Sequence, residues 1–95
     1  MNSPKIFYNP IDGSAPLSIY YFDGAKGNAI EADFGDGVGF FGPSQDFLGV
    51  IFDNVSDQND EQELFFSNGA KIKIRVHLNK IEIIELVKPK KQDSA

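Results

Sequence analysis

The strongest constraint on the fold is a strict alternation of apolar and charged residues near the C-terminus. Between Ala70 and Leu78 every second residue is apolar, and the intervening positions carry Lys71, Lys73, Arg75 and His77. Successive side chains of a strand point to opposite faces of a sheet. The segment therefore predicts a β-strand with one buried face and one solvated face.

A second strand over 61–66 precedes this one, and the connection Ser67-Asn68-Gly69 allows two registers. A two-residue loop would pair Phe65 with Ile72. A three-residue loop with a left-handed Gly69 joins apolar to apolar and acid to base across the strands. We predict the second register, with the pairs Phe66–Ala70, Leu64–Ile72, Glu63–Lys73 and Glu61–Arg75.

A third strand over 81–87 completes the predicted C-terminal meander. A two-residue turn at Asn79-Lys80 would place His77 opposite Glu82. The alternation then breaks at Ile83-Ile84, which indicates either a bulge or a strand that is covered on both faces.

The N-terminal two-thirds of the chain contain shorter apolar runs. Residues 1–16 are rich in Pro, Asn and Gly and predict an irregular arm. Strands are predicted over 17–22, over 29–34, where Ile30, Ala32 and Phe34 share one face, and over 38–42. The run 46–53 fits a buried strand, which its β-branched and aromatic residues favour.

The predicted fold is mainly β, a single small antiparallel meander of about 6–7 short strands, barrel-like or a two-layer sandwich. The alternative is an α+β fold with one short helix near 44–55, capped by Ser44. The β domain would span 17–87, between the arm at 1–16 and a polar C-terminal tail at 88–95.

The 95-residue chain carries a net charge of −5, and the charge is unevenly distributed. Residues 1–66 hold two lysines against eleven acids, whereas residues 67–95 hold seven basic residues against three acids. An acidic majority repels nucleic acid phosphates and attracts basic surfaces. The expected partner is a protein with a basic surface, for example a nuclease or another nucleic-acid-binding protein, rather than nucleic acid itself.

The sequence contains no cysteine, which excludes disulfides and thiolate metal sites. The N-terminus lacks the features of a signal peptide, and no apolar run approaches the roughly 18 residues of a membrane span. These observations predict a cytoplasmic protein without a membrane partner.

Two catalytic signatures overlap in "DFGDGVGFFGP", residues 33–43. Asp33-Phe34-Gly35 spells the metal-binding tripeptide of kinases, and 37–42 spells the G-x-G-x-x-G phosphate loop. A phosphate loop requires a following helix, yet Pro43 follows, and Asp33, Asp36 and Asp46 would repel a phosphate. A kinase carries its glycine loop before the DFG, in a far longer chain. We interpret the glycines as permitting a tight bend between strands.

No other pattern in the sequence predicts catalysis, a cofactor or a metal site. His77 is the only histidine, and no serine lies in a G-x-S-x-G context. The acidic loop after Asp53 fails the Ca²⁺-loop pattern, because Gln62 and Asn68 occupy the positions that require Gly and Glu. We therefore expect a protein that is not an enzyme.

Aromatic residues beside carboxylates mark the predicted binding surface, because such sets form contact hot spots for basic proteins. The predicted function is an inhibitor or antagonist of the toxin-immunity or phage anti-defence type. Two alternatives remain: a β-barrel that carries a small ligand or nucleotide, and a structural subunit of a larger assembly. The predicted partner-binding residues are Asp33, Asp36, Phe40, Phe41, Asp46, Tyr20, Tyr21 and Asp23.

Overall fold

The computed structural model describes residues 3–22 and 27–90, and there the chain forms eight antiparallel strands and no helix. They make one curled half-barrel sheet in the order β1-β2-β5-β4-β3-β6-β7-β8. The predicted mainly-β, barrel-like meander is confirmed, with one strand more than the upper estimate. The strands are β1 (Lys5–Tyr8), β2 (Ser14–Tyr20), β3 (Asn28–Phe34), β4 (Gly37–Phe41), β5 (Phe47–Ser56), β6 (Asp60–Phe66), β7 (Lys71–His77) and β8 (Lys80–Val87).

Residues 47–53 of the predicted segment 46–53 lie in β5, the longest strand, so the strand prediction is confirmed and the helix near 44–55 is wrong. β5 is hydrogen-bonded to β2 on one side and to β4 on the other. Its side chains Val50, Phe52 and Val55 are fully buried. Pairing on both edges together with burial of the apolar face overrides the helical spacing of the same residues.

The prediction of an irregular arm over 1–16 is wrong, because this segment holds β1 and the first residues of β2. The prolines that suggested irregularity sit where sheets tolerate them. Pro4 precedes β1, Pro10 follows it, and Pro16 lies at the register shift between Ala15 and Leu17.

The predicted register of β6 and β7 is confirmed. Gly69 has φ 88° in the connecting turn, and the Phe66 amide donates to the Ala70 carbonyl over 3.0 Å. The observed pairs include Leu64–Ile72, Glu63–Lys73 and Glu61–Arg75.

The predicted register of β7 and β8 is wrong by two residues. Leu78 and Asn79 form the turn, with φ of 49° and 70°, so His77 pairs with Lys80 and Glu82 lies opposite Arg75. Leucine rarely adopts positive φ, so the residue preferences of two-residue turns predict a turn at Asn79-Lys80 instead. The break in alternation is a bulge, where the register shifts between Lys73 and Ile74 of the partner strand.

Strand β3 joins the two halves of the curled sheet. Its first four residues pair with β4, and then Ala32 and Phe34 pair with β6 across a register shift. The sheet bends at this strand, and the apolar faces of both halves enclose one core. That core consists of Leu17, Ile19, Phe41, Phe47, Val50, Phe52, Val55, Leu64, Phe66, Ala70, Ile72, Ile74 and Val76.

Candidate functional site

The glycines of the DFG and G-x-G-x-x-G matches lie in the β3–β4 turn, in β4 and directly after it, and two of them pack closely against neighbouring backbone. Gly35 has φ 96°, and a side chain there would clash with the Glu63 carbonyl of β6. A side chain at Gly37 would clash with the Ile51 carbonyl of β5. The element that follows Gly42 is strand β5 rather than a helix. The glycines therefore allow close packing of backbone, as the bend interpretation expected.

An aromatic strip crosses the outer face of β1–β5, the face that points away from the core. We define it as Phe7, Tyr20 and Phe40. Tyr20 and Phe40 flank Gly49 of β5 in register, and the Tyr20 ring covers the space that a side chain at Gly49 would fill. Phe7 packs edge-to-face on Tyr20 with ring centroids 6.0 Å apart, yet remains 58% exposed.

Exposed carboxylates lie on β3 and around the β3–β4 turn, in the same half of the sheet as this strip. Glu31 lies opposite Val38 of β4, and Asp33 lies two residues further along β3. Asp36 is at the tip of the β3–β4 turn, where its carbonyl accepts from the amide of the exposed Asp53. Lys5 is the one basic residue among the described residues of β1–β5. The outer face thus combines apolar rings, with Lys5 opposite Tyr20, and a group of exposed carboxylates to one side.

Two of the eight predicted binding residues point into the protein instead. Phe41 is 2% exposed and packs edge-to-face on Phe47 and Phe66. Tyr21 packs edge-to-face on Phe47 at 5.8 Å, and burial raises the pKa of its hydroxyl. Both side chains pack on the core side of the sheet, so we exclude them from the candidate surface on the outer face.

The remaining predicted carboxylates do not form one cluster with the rings. The Gly42 amide donates to the Asp46 carbonyl in the β4–β5 turn, at the far end of β4 from Asp36. At about 3.3 Å per residue, Asp36 and Phe40 are about 13 Å apart along the strand. Asp23 lies outside the described residues.

A second exposed aromatic pair, Phe34 and Phe65, was not predicted from the sequence. Phe34 is 72% exposed and meets Phe65 edge-to-face with centroids 6.1 Å apart. The Lys71 ammonium lies 5.2 Å from the centroid of the Phe65 ring. Alternation had placed Phe34 on the same face as Ile30, but the register shift after Ala32 turns it outward. The exposed position of Phe34 follows from the register shift between Ala32 and Phe34, which apolar–polar alternation in the sequence does not show.

The basic stripe on β7 is paired with acids on both neighbouring strands. Hydrogen bonds from Arg75 and Lys73 lower the pKa of Glu61, and a hydrogen bond from Lys71 lowers that of Glu85. The ion pairs are Lys71–Glu63 at 3.6 Å, Lys71–Glu85 at 2.7 Å, Lys73–Glu61 at 3.4 Å, Arg75–Glu61 at 3.1 Å and Arg75–Glu82 at 3.8 Å. Such pairing leaves this face poorly suited to bind a phosphate backbone.

His77 lies opposite Lys80 rather than opposite Glu82 as predicted, and its Nδ1 atom contacts the Asn59 side-chain oxygen. Within 3–22 and 27–90, no three His, Cys, Asp or Glu side chains are grouped closely enough to hold a metal ion.

One cavity of about 810 Å³ opens between the start of β1, the β4–β5 turn and the end of β8. Tyr21, Phe22, Phe47 and Leu86 give it an apolar wall, and Asp46 and Lys88 lie at its margin among polar neighbours. Its size is in the range of small-molecule sites.

Among the residues that the structure describes, none belongs to a helix with the length and apolar character needed to cross a membrane. Comparison of the chain with known proteins finds no matching family model, no significantly similar curated protein and no significantly similar solved structure.

Proposed function

We propose that this chain is a non-enzymatic cytoplasmic binding protein that docks its outer β1–β5 face on a basic surface of another protein and thereby inhibits that protein. The observation that carries the proposal is the aromatic strip, Phe7, Tyr20 and Phe40, on a half of the sheet whose exposed carboxylates include Glu31, Asp33, Asp36 and Asp53. The roles suggested by such a surface are those of a toxin-immunity protein or a phage anti-defence antagonist.

The two parts of the surface would contribute differently to binding. Large rings held by neighbouring strands lose little side-chain entropy on contact and dominate the energy of many interfaces. Tyr20 is fixed over Gly49 and against Phe7, so it is already ordered before binding. The carboxylates act at longer range and raise the association rate with a positively charged partner.

The shape of the surface supports a folded protein as the partner. The aromatic strip lies on the outer side of a curled sheet, whereas small ligands occupy concave sites. A partner with a basic cleft, such as a nuclease, would offer the complementary shape and charge. Occupation of that cleft would exclude its acidic substrate, which would account for inhibition without any chemistry by this chain.

Reversal of the carboxylate charges should slow association with the partner. In Asp33→Lys combined with Asp36→Lys, we expect the association rate at low salt to fall about tenfold or more, because electrostatic steering is lost. Affinity capture from the native host, followed by mass spectrometry, would identify the partner, and stopped-flow mixing of the purified pair would give the rate.

The control is Asp46→Lys, a single charge reversal in the β4–β5 turn at the far end of β4, which is compared with Asp36→Lys alone so that the net charge changes equally. We expect a smaller effect on the rate than in Asp36→Lys. Equal rates for wild type and the double variant, or a rate that does not change with salt, would contradict the proposal.

A second candidate function is binding of a small apolar ligand, which the cavity of about 810 Å³ favours. Under this alternative, a panel of hydrophobic metabolites and nucleotides would contain a compound that raises the melting temperature of the isolated chain. Phe22→Ala, which removes a ring from the cavity wall, should reduce that shift, and Phe40→Ala on the outer face should not. A panel without any stabilising compound would leave protein binding as the better account.

A further inference from the structure

Two hairpin turns lie at the same end of the sheet and have similar backbone conformations but different residues. The β1–β2 turn is Asp12-Gly13, with φ of 60° and 91°, and the β7–β8 turn is Leu78-Asn79, with φ of 49° and 70°. Asp-Gly is one of the sequences that this kind of turn prefers. Leucine is not preferred at the first position of this turn, because its side chain disfavours the left-handed region.

Burial of the Leu78 side chain does little to offset this backbone strain. Its side chain is 72% exposed, so it contributes little to the core. Neither turn geometry nor packing accounts for leucine at this position. Strained residues that local structure does not require are found disproportionately at binding and catalytic sites.

The β1–β2, β5–β6 and β7–β8 turns form one connected surface. The Asp57 amide donates to the Gly13 carbonyl over 2.8 Å, and the Asn79 amide donates to the Asp57 carbonyl over 3.1 Å. These bonds hold the β5–β6 turn between the two hairpin turns. Ile11, in the β1–β2 connection, is 71% exposed and is the second aliphatic side chain presented at this end.

A depression of about 460 Å³ lies beside Leu78 in this surface. Polar groups of the β5–β6 and β7–β8 turns form its walls, namely Asp57, Gln58, Asn59 and Asn79. We call the set Ile11, Asp57, Gln58, Asn59, Leu78 and Asn79 the loop surface.

The charges around the loop surface are mainly negative. Asp12, Asp57 and Asp60 belong to it or border it, against the single ammonium of Lys80 and the imidazole of His77. Burial, followed by the negative charges of Asp57 and Asp60, raises the pKa of the nearby Tyr8 hydroxyl. An anionic membrane or a nucleic acid would be repelled here, whereas a basic peptide segment would be attracted.

We propose that the loop surface is a second protein-binding site, which takes an extended peptide segment that carries an apolar residue next to a lysine or arginine. The apolar residue packs on Leu78, and the cation faces the depression at Asp57 and Asn59. This site is separate from the outer β1–β5 face, and it can be tested without knowledge of the partner of that face.

The first test measures the stability of Leu78→Asn. Asparagine tolerates the left-handed region, so relief of strain should raise the melting temperature by about 4–8 °C. Ile84→Asn, at a partly exposed position on β8, serves as the matched aliphatic-to-amide control and should not raise it. A melting temperature of Leu78→Asn at or below that of wild type would show that leucine is kept for folding, and would overturn the proposal.

The second test uses a random-peptide phage library selected on the intact wild-type chain. We expect peptides with adjacent apolar and basic residues, and about tenfold weaker binding of those peptides to Leu78→Asn in calorimetry. Binding to Ile84→Asn and to the Asp33→Lys, Asp36→Lys double variant should be unchanged. Selected peptides that bind Leu78→Asn as tightly as wild type, or a selection without basic residues, would refute the proposal.

Discussion

Replacement of Phe41 by alanine is expected to lower the free energy of unfolding by about 3–5 kcal/mol, the usual cost of removing a buried phenylalanine ring. The ring is 2% exposed and lies 5.2 Å from the Phe47 centroid and 5.5 Å from the Phe66 centroid. Its removal leaves a cavity where strands of both halves of the sheet meet. Urea unfolding followed by tyrosine fluorescence and circular dichroism would measure the loss.

Phe40→Ala is the matched control, because it makes the same chemical change one residue earlier on the opposite face. Phe40 is only partly buried, so we expect a loss of about 1 kcal/mol. If Phe41→Ala proves too unstable to measure, Phe41→Leu removes fewer contacts and should still be clearly less stable than wild type. Equal losses at positions 40 and 41 would contradict the assignment of the two faces.

Replacement of Gly35 by alanine should be comparably damaging, with an expected loss of about 3 kcal/mol or more. Two effects combine at this position: φ is 96°, and the new Cβ would meet the Glu63 carbonyl and lie 2.7 Å from Leu64 Cδ2. A backbone carbonyl cannot rotate away as a flexible side chain can. Chemical denaturation gives the loss directly.

Gly42→Ala is the control for Gly35→Ala, because Gly42 is the last glycine of the same stretch, residues 33–42. Its φ is not in the left-handed region, and the nearest atom to a new Cβ would be Asp46 Cβ at 3.6 Å, an ordinary contact. We expect a change within about 0.5–1 kcal/mol of zero. If alanine at 35 and alanine at 42 had the same small effect, close packing would not explain the glycines of "DFGDGVGFFG".

The sequence predicts the C-terminal meander well where two independent signals agree. In β6 and β7, cross-strand charge pairs and apolar pairs require the same register, and Gly69 supplies the turn conformation. In β7 and β8, the turn residue with φ 49° is a leucine, which carries no turn signal. The register was therefore misplaced although the strands themselves were recognised.

The candidate surface was harder to predict than the C-terminal strands, because a glycine-rich strand gives no alternation of apolar and polar side chains from which to assign the buried face. In β4, Gly37 and Gly39 share a face with Phe41, whereas Val38 and Phe40 share the other. Since glycine has no side chain, alternation alone could not assign either phenylalanine to the core. Phe7 was missed for a different reason. The prolines on both sides of β1 led to the prediction of an irregular arm where the structure has a short edge strand.

The shared strand β3 has a consequence for how the protein unfolds. Without their connection through β3, strands β6, β7 and β8 would form a three-stranded sheet whose apolar face, with Leu64, Ile72 and Ile74, is uncovered. Exposure of that face to water would forfeit the free energy gained by burying these apolar side chains. The acidic N-terminal portion and the basic C-terminal portion should therefore open as a single cooperative unit rather than as two subdomains.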